Sequence, residues 1–506
     1  MKKTKGNYIY VPLIIMLAIH IQVSVAIGQP LKTTGWQQLD LKRDQILGIS
    51  ADAAYTELLQ GRSGVPIVVA VIDGGVDTTH LDLSSVLWRN SGEIAGNGKD
   101  DDHNGYVDDV HGWNFMGDKK GSFQQDNYDV IRRLRQSYQK KQETCKLQGS
   151  VNNKRWSVQR NLEETQLTLK ALEAILVDIG KKNPTLADFK NYRYSDYAQE
   201  QQLIKIVAAL SRQPDVPAYR KHLQSRLENY TNELNYALNI DYDPRKGKAF
   251  TAPFNGNGDV EGSWTVHGSH VAGIIVGRTV GVARANVQLM VLRTVPAGDY
   301  LDWDMARAIR YAADNGARVI NISAGKSGST DPALLESAIR HAMEKDVLIV
   351  HASGNQGQLL ERGYYPRGTY KDGKVKAWLE VGASGPANDS SLVLSASNYG
   401  KEVVDVLAPG VKIRSCSPNN GYSEQSGTSM AAAVVSGMAA VLRSYYPGYS
   451  AERIREIILD SVQQVDHLVL APSGVMVSLT EICASGGVVN LYRALQQAEN
   501  LKHQSR

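Results

Sequence analysis

The chain has 506 residues, 42% of them hydrophobic and 21% charged, which is enough for two or three domains around a sizeable core. A mean hydropathy of −0.30 excludes a polytopic membrane protein, and a net charge of +4 excludes a strongly cationic nucleic-acid binder. Three cysteines are too few for a disulfide framework; Cys416 and Cys483 could pair in an oxidising compartment, but nothing in the sequence selects which two of the three.

The N-terminus has the grammar of a targeting segment. Lys2, Lys3 and Lys5 precede an apolar run over residues 8–25 that ends in Ser24-Val25-Ala26. A basic head, an apolar stretch and small residues before a cut predict a signal peptide over 1–26. An uncleaved anchor is the alternative, since the run is long enough to span a bilayer. Either way the body of the protein is exported, whether secreted, periplasmic or bound at the cell surface. The mature form is expected to have no stable membrane span.

After an N-terminal segment over 27–61, short β-branched runs recur at 66–73 (PIVVAVID), 287–293, 317–323, 347–352, 378–383 and 403–407. Helical patterns lie between them, at 303–315 with Ala306, Ile309 and Ala313 on one face, and at 334–344. Two more follow at 428–446 and 451–462. Strands alternating with helices of this length predict an α/β domain, a mostly parallel sheet covered on both faces. This domain takes 62–126 and 245–500.

Residues 127–244 have another texture, poor in strand-like runs and rich in Lys, Gln, Glu, Asn and Tyr. Leu162, Leu169, Leu172 and Leu176 form a helical stripe, and Leu223, Leu227, Tyr230, Leu234 and Leu238 form a second. Breaks near 180–184 and 213–217 separate the segments, so a helical insertion is expected. Its 19 basic and 14 acidic residues read as a solvated surface, with no nucleic-acid partner.

Three glycine-flanked polar clusters interrupt the α/β pattern at strand ends and helix starts. They are Asp73-Gly74-Gly75-Val76-Asp77, His267-Gly268-Ser269-His270 and Gly427-Thr428-Ser429-Met430. Singly, they read as a turn carboxylate, a structural histidine and a helix cap. Jointly, they supply the carboxylate, imidazole and hydroxyl needed to activate a weak nucleophile.

The stretches VIDGGVDTTHLDL, HGSHVAGII and GTSMAAAVVSG resemble the Asp, His and Ser motifs of the subtilisin-like serine proteases, in that family's order. The resemblance covers most of 48–491 outside the insertion. It implies a three-layer α/β sandwich, a protein or peptide substrate, and a serine endopeptidase working through an acyl-enzyme. Asp73 would orient the imidazole, His267 would be general base and acid, and Ser429 the nucleophile. Ser353-Gly354-Asn355 resembles the oxyanion-hole segment, with Asn355 as donor. Ser323, Ala324 and Gly325 resemble the edge where substrate adds as a strand, and Gly354 would help to shape the adjoining pocket. His80 and His270 match structural positions. Ala433 stands where the family usually carries proline, which removes a φ constraint near Ser429.

One further motif suggests a metal. In 100–108 (DDDHNGYVD), Asp100, Asp102, Asn104 and Asp108 place oxygen ligands at alternate positions, with Gly105 for the turn. Tyr106 would complete the set through its backbone. That is the front of a calcium loop, but position 12 is His111 rather than a bidentate Glu; an exposed acidic turn is the alternative. Two other functions also fit the sequence: a transpeptidase or cyclase, in which an amine resolves the acyl-enzyme, and a binding module on a retired protease scaffold.

Overall fold

The computed structural model describes residues 34–118, 121–194, 196–246, 256–262 and 265–504, so the proposed signal peptide lies outside the described residues. The apolar runs form strands of one nine-stranded sheet: β1 (Ile67–Asp73), β2 (Gly112–Asn114), β3 (Val287–Arg293), β4 (Ala317–Ile322), β5 (Leu348–Ala352), β6 (Trp378–Ser384), β7 (Val406–Pro409), β8 (Gln463–Gln464) and β9 (Gly487–Val488). Their order is β8-β9-β7-β6-β5-β4-β1-β3-β2, and every pair is parallel except β8 with β9.

The short edge strands β2, β8 and β9 carry little sequence signal. The strand expected at 403–407 instead begins at Val406. Asp405 is buried just before it and binds Lys374 Nζ at 2.7 Å, Arg455 at 2.9 Å and the Glu380 N–H at 2.7 Å.

Strand side chains alternate between two covered faces. Val69, Val71, Leu289, Val291, Val319 and Val350 pack under helices α6 (Thr265–Val276), α9 (Thr428–Tyr445), α10 (Ala451–Asp460) and α11 (Leu491–Gln504). Ala70, Ile72, Met290, Leu292, Ile320 and Ile349 pack against α7 (Asp302–Asp314) and α8 (Pro332–Glu344). The result is helix, sheet and helix in three layers, as expected for an α/β sandwich.

The N-terminal segment is not a separate appendage from residue 35 onward. Trp36, Ile49, Ala51 and Leu59 sit in the larger core. Trp36 Nε1 donates to Val411 O at 2.9 Å, and the Leu491 N–H to Ile49 O at 2.8 Å. The cysteines do not pair. Cys416 is buried in that core, Cys483 in a different cluster with Leu392 and Leu479, and all three thiols are free.

Between β2 and α6 the insertion forms helices α1 (Asp129–Gln139), α2 (Cys145–Ile179), α3 (Leu186–Asn191), α4 (Tyr197–Arg212) and α5 (Val216–Asn232). It has its own core of Leu172, Ile175, Phe189, Leu203, Ile206, Leu210 and Leu223. On α2 the expected stripe is rotated: Leu162, Leu169 and Leu176 are half-buried, while Val158, Thr165, Leu172 and Ile175 face inward. The ends of the insertion are stitched together. Asp126 accepts from Arg245 Nε at 2.8 Å and pairs with Arg132 at 3.1 Å, and Arg245 also meets Asp304 at 2.6 Å. With both ends fixed at one point, more than a hundred residues enter and leave without disturbing the sheet.

Candidate active site

The polar clusters gather at the carboxyl edge of the sheet, where open α/β folds place their ligands. Asp73 is the last residue of β1 and is buried. The turn after it is held by the fully buried Arg293, whose Nε donates to Gly74 O at 3.0 Å. Residue 268 must be glycine for α6 to approach that turn: a Cβ there would lie 2.1 Å from Gly75 O. The close approach brings His267, in the first turn of α6, onto Asp73. His267 Nδ1 lies 3.0 Å from Oδ1 and 2.9 Å from Oδ2 of the carboxylate.

This contact fixes the tautomer. Nδ1 carries the proton that the carboxylate accepts, leaving Nε2 with a lone pair for a substrate-side proton. Burial disfavours the charged ring, but the charge and hydrogen bond of Asp73 outweigh it and hold the His267 pKa above 6.5. The ring is still 39% exposed.

Ser429 is the second residue of α9, where helix geometry leaves backbone N–H groups without intrahelical acceptors. Its Oγ donates to Ser323 O at 3.2 Å rather than to His267. The Ser–His hydrogen bond is therefore not formed in this resting geometry. Catalytic hydrogen bonds commonly tighten only with substrate in place.

Asn355 follows β5 and is exposed. Its Oδ1 accepts from the Thr428 N–H at 2.9 Å, which ties the amide to the start of α9 and leaves Nδ2 free of that contact. Gly427 permits this approach: φ is 152°, and a Cβ would lie 3.2 Å from Asn355 Nδ2. Two further residues, Thr428 and Asn398, support this loop. The Gly354 N–H donates to Thr428 Oγ1 at 3.1 Å, and Asn398 Nδ2 donates to Ser353 O at 2.9 Å, so both fix the Asn355 loop. Thr428 lies inside the Ser motif and was detectable there; Asn398 has no comparable signal.

Ser323, Ala324 and Gly325 continue from β4 toward this edge. Ser323 Oγ accepts from Asn321 Nδ2 at 2.9 Å and donates to Ser429 O at 3.1 Å. Thus Asp73 with His267, Ser429 with Ser323, and Asn355 with Thr428 form linked pairs along one edge. His270 and His80 are buried one layer back and donate to backbone carbonyls of Ser423 and Gly421 at 3.1 and 3.0 Å.

The acidic loop is arranged differently from a simple alternating ligand set. Asp100 and Asp102 converge with Glu93, with one oxygen from each within 4.8 Å of the others. Asp108 turns away: its oxygens accept the N–H groups of Gly96, Asn97 and Gly98 at 2.7–3.1 Å. Asn104 donates its side-chain amide to Asp102 and Asp109, and the Tyr106 ring packs edge-on to Trp113 and Tyr311. Glu93, which sequence spacing missed, lies too far upstream to belong to the motif.

Residues 64–476 match the family model described as "Subtilase family", a span that includes Asp73, His267, Asn355 and Ser429. A thermophilic serine proteinase of Bacillus sp. (strain AK1) is 37% identical over 205 residues, 39% of this chain and 47% of that protein. The major intracellular serine protease of Bacillus subtilis (strain 168) is 35% identical over 39% of this chain and 61% of its own length. Thermitase of Thermoactinomyces vulgaris is 33% identical over 49% and 77%. The chain thus spans between about half and three-quarters of the length of these relatives. A solved subtilase cytotoxin structure is 25% identical, with a TM-score of 0.41 over 48% of this chain and 80% of that one. On the family match across most of its length, the chain belongs to the subtilase family.

Proposed function

We propose that this protein is an exported serine endopeptidase that hydrolyses peptide bonds through an acyl-enzyme on Ser429. The observation that carries the reading is the grip of both Asp73 oxygens on His267 Nδ1, which leaves Nε2 as a base within a cleft. In the proposed reaction the Ser429 hydroxyl turns from Ser323 O to His267 Nε2. Oγ attacks the substrate carbonyl as Nε2 takes its proton, and the C–N bond breaks as that proton passes to the leaving amine. Water, deprotonated by the same nitrogen, then attacks the ester carbonyl and releases the acid. Asn355 Nδ2 and the Ser429 N–H would hold the oxyanion; losing such a side-chain donor costs ~10²–10³ in kcat, a magnitude measured in another subtilase. The segment Ser323, Ala324 and Gly325 would pair with the substrate backbone, and Gly354 would border its pocket.

A structural calcium ion belongs to the same proposal. Three carboxylate groups held this close repel one another, a repulsion that a bound cation would relieve beyond what their N–H donors do, and hard oxygen donors suit calcium. Glu93, Asp100 and Asp102, whose oxygens converge, would hold the ion; Asp108, which turns toward residues 96–98, lies outside that group.

A fluorophosphonate probe tests the catalytic reading. The wild-type protein is expected to be labelled at Ser429 and Ser429→Ala to remain unlabelled. Equal labelling of the two proteins would show that the nucleophile lies elsewhere.

A further inference from the structure

Strands β4 and β5 pair in register up to Ile322 and His351, and beyond that point their extensions separate. Residues 323–325 form one wall of the resulting crevice and residues 353–355 the other. Ser429 Oγ reaches the first wall at Ser323 O, and Asn355 is the last residue of the second. Under the endopeptidase reading, a carbonyl placed between Ser429 and Asn355 would turn the side chain of its own residue toward this crevice.

The crevice is not open. The loop after Asn355 is strapped to the first wall by two backbone hydrogen bonds, the Lys326 N–H to Tyr365 O at 3.0 Å and the Tyr365 N–H to Lys326 O at 2.8 Å. That pairing fixes Tyr364 alongside Gly325. A Cβ on Gly325 would lie 3.2 Å from Tyr364 Cβ, and a Cβ on Gly354 would lie 3.1 Å from Tyr364 Cε2. One half-buried ring thus spans from wall to wall, and both walls are glycine where it touches them. The floor does not yield either. His351 is fully buried beneath Gly325, bonded through Nδ1 to Glu380 at 2.9 Å and through Nε2 to Ala324 O at 3.1 Å.

We propose that Tyr364 fills the acyl-side pocket and restricts the residue whose carbonyl is attacked to small side chains, glycine, alanine or serine. A large side chain would have to expel a ring held at its backbone on one side and packed on glycine at the other. This inference rests on the endopeptidase reading and names the substrate class of that site.

The test uses the full chain and a set of peptide anilides differing only in the residue before the cleaved bond: alanine, leucine or phenylalanine. The wild-type kcat/KM for alanine is expected to exceed that for phenylalanine by about tenfold or more, the range a misfitting apolar pocket gives. Tyr364→Gly is expected to bring the ratio down at least tenfold, while Tyr364→Phe, which keeps the ring, leaves it as in the wild type. A wild-type preference for phenylalanine, or a Tyr364→Gly ratio within twofold of wild type, overturns the proposal even where Ser429 labels normally. Absence of both labelling and anilide cleavage in the wild type would remove the endopeptidase reading and this inference with it.

Discussion

Asp129, the first residue of the insertion's first helix, forms a buried 3.1 Å ion pair with Lys326, the residue immediately after Gly325. Lys326 Nζ also meets Asp302 at 2.7 Å and Tyr300 O at 3.2 Å, so one ammonium joins the insertion, helix α7 and the end of the proposed substrate edge. The insertion is therefore fastened to the active-site side of the sheet.

Lys326→Met leaves two buried carboxylates without their cation. Breaking a buried pair from one side costs about 3–5 kcal/mol, and chemical denaturation is expected to show a loss of that order. Lys326→Met combined with Asp129→Leu should recover part of it. A single variant as stable as the wild type would mean the pair carries no structural load.

The pH dependence of kcat/KM should follow His267. Because the Asp73 charge raises its pKa, the acid limb is expected above pH 6.5, with activity falling as pH drops through it. The same pair stabilises the fold while the ring is charged, and that contribution is lost as pH rises through the folded-state pKa. Asp73→Asn is expected to move the limb downward and to cut kcat by about 10⁴, as loss of the orienting acid does in serine proteases. An unshifted limb in that variant would separate the titrating group from His267.

His270 predicts the opposite sign in stability. Burial, helped by the nearby His267, pushes its pKa down to about 4 against the Ser423 hydrogen bond. An unfolded chain titrates this ring near 6.5, so its contribution is present above that pH and is lost as pH falls toward 4. The gap corresponds to about 3 kcal/mol. His270→Asn should flatten the decline in unfolding free energy between pH 7 and pH 4.5. A decline as steep as in the wild type would assign it to other groups.

Calcium removal should lower the melting temperature. Excess EDTA is expected to shift the wild-type transition downward, and Asp102→Asn to start low and respond little. An unchanged melt, with no calcium in the purified protein by elemental analysis, would dismiss the ion.

The sequence by itself determined the α/β class, the helical character of the stretch that folds as helices within residues 129–232, and the placement of Asp73, His267 and Ser429 at strand ends and helix starts. Those features are written in local periodicity and in glycine-flanked polar clusters, which survive in a linear reading. Tertiary structure decided what depends on where the folded chain places and aims its side chains. It brought Glu93 to Asp100 and Asp102, turned Asp108 away, kept Cys416 and Cys483 apart, and laid residues 35–59 into the core. It also fastened the insertion through Lys326 and set Tyr364 between two glycines. No spacing rule encodes such contacts, because each depends on how the folded chain aims its side chains, whether the partners are neighbours in one loop, as Glu93 and Asp100 are, or come from remote elements, as Asp129 and Lys326 do.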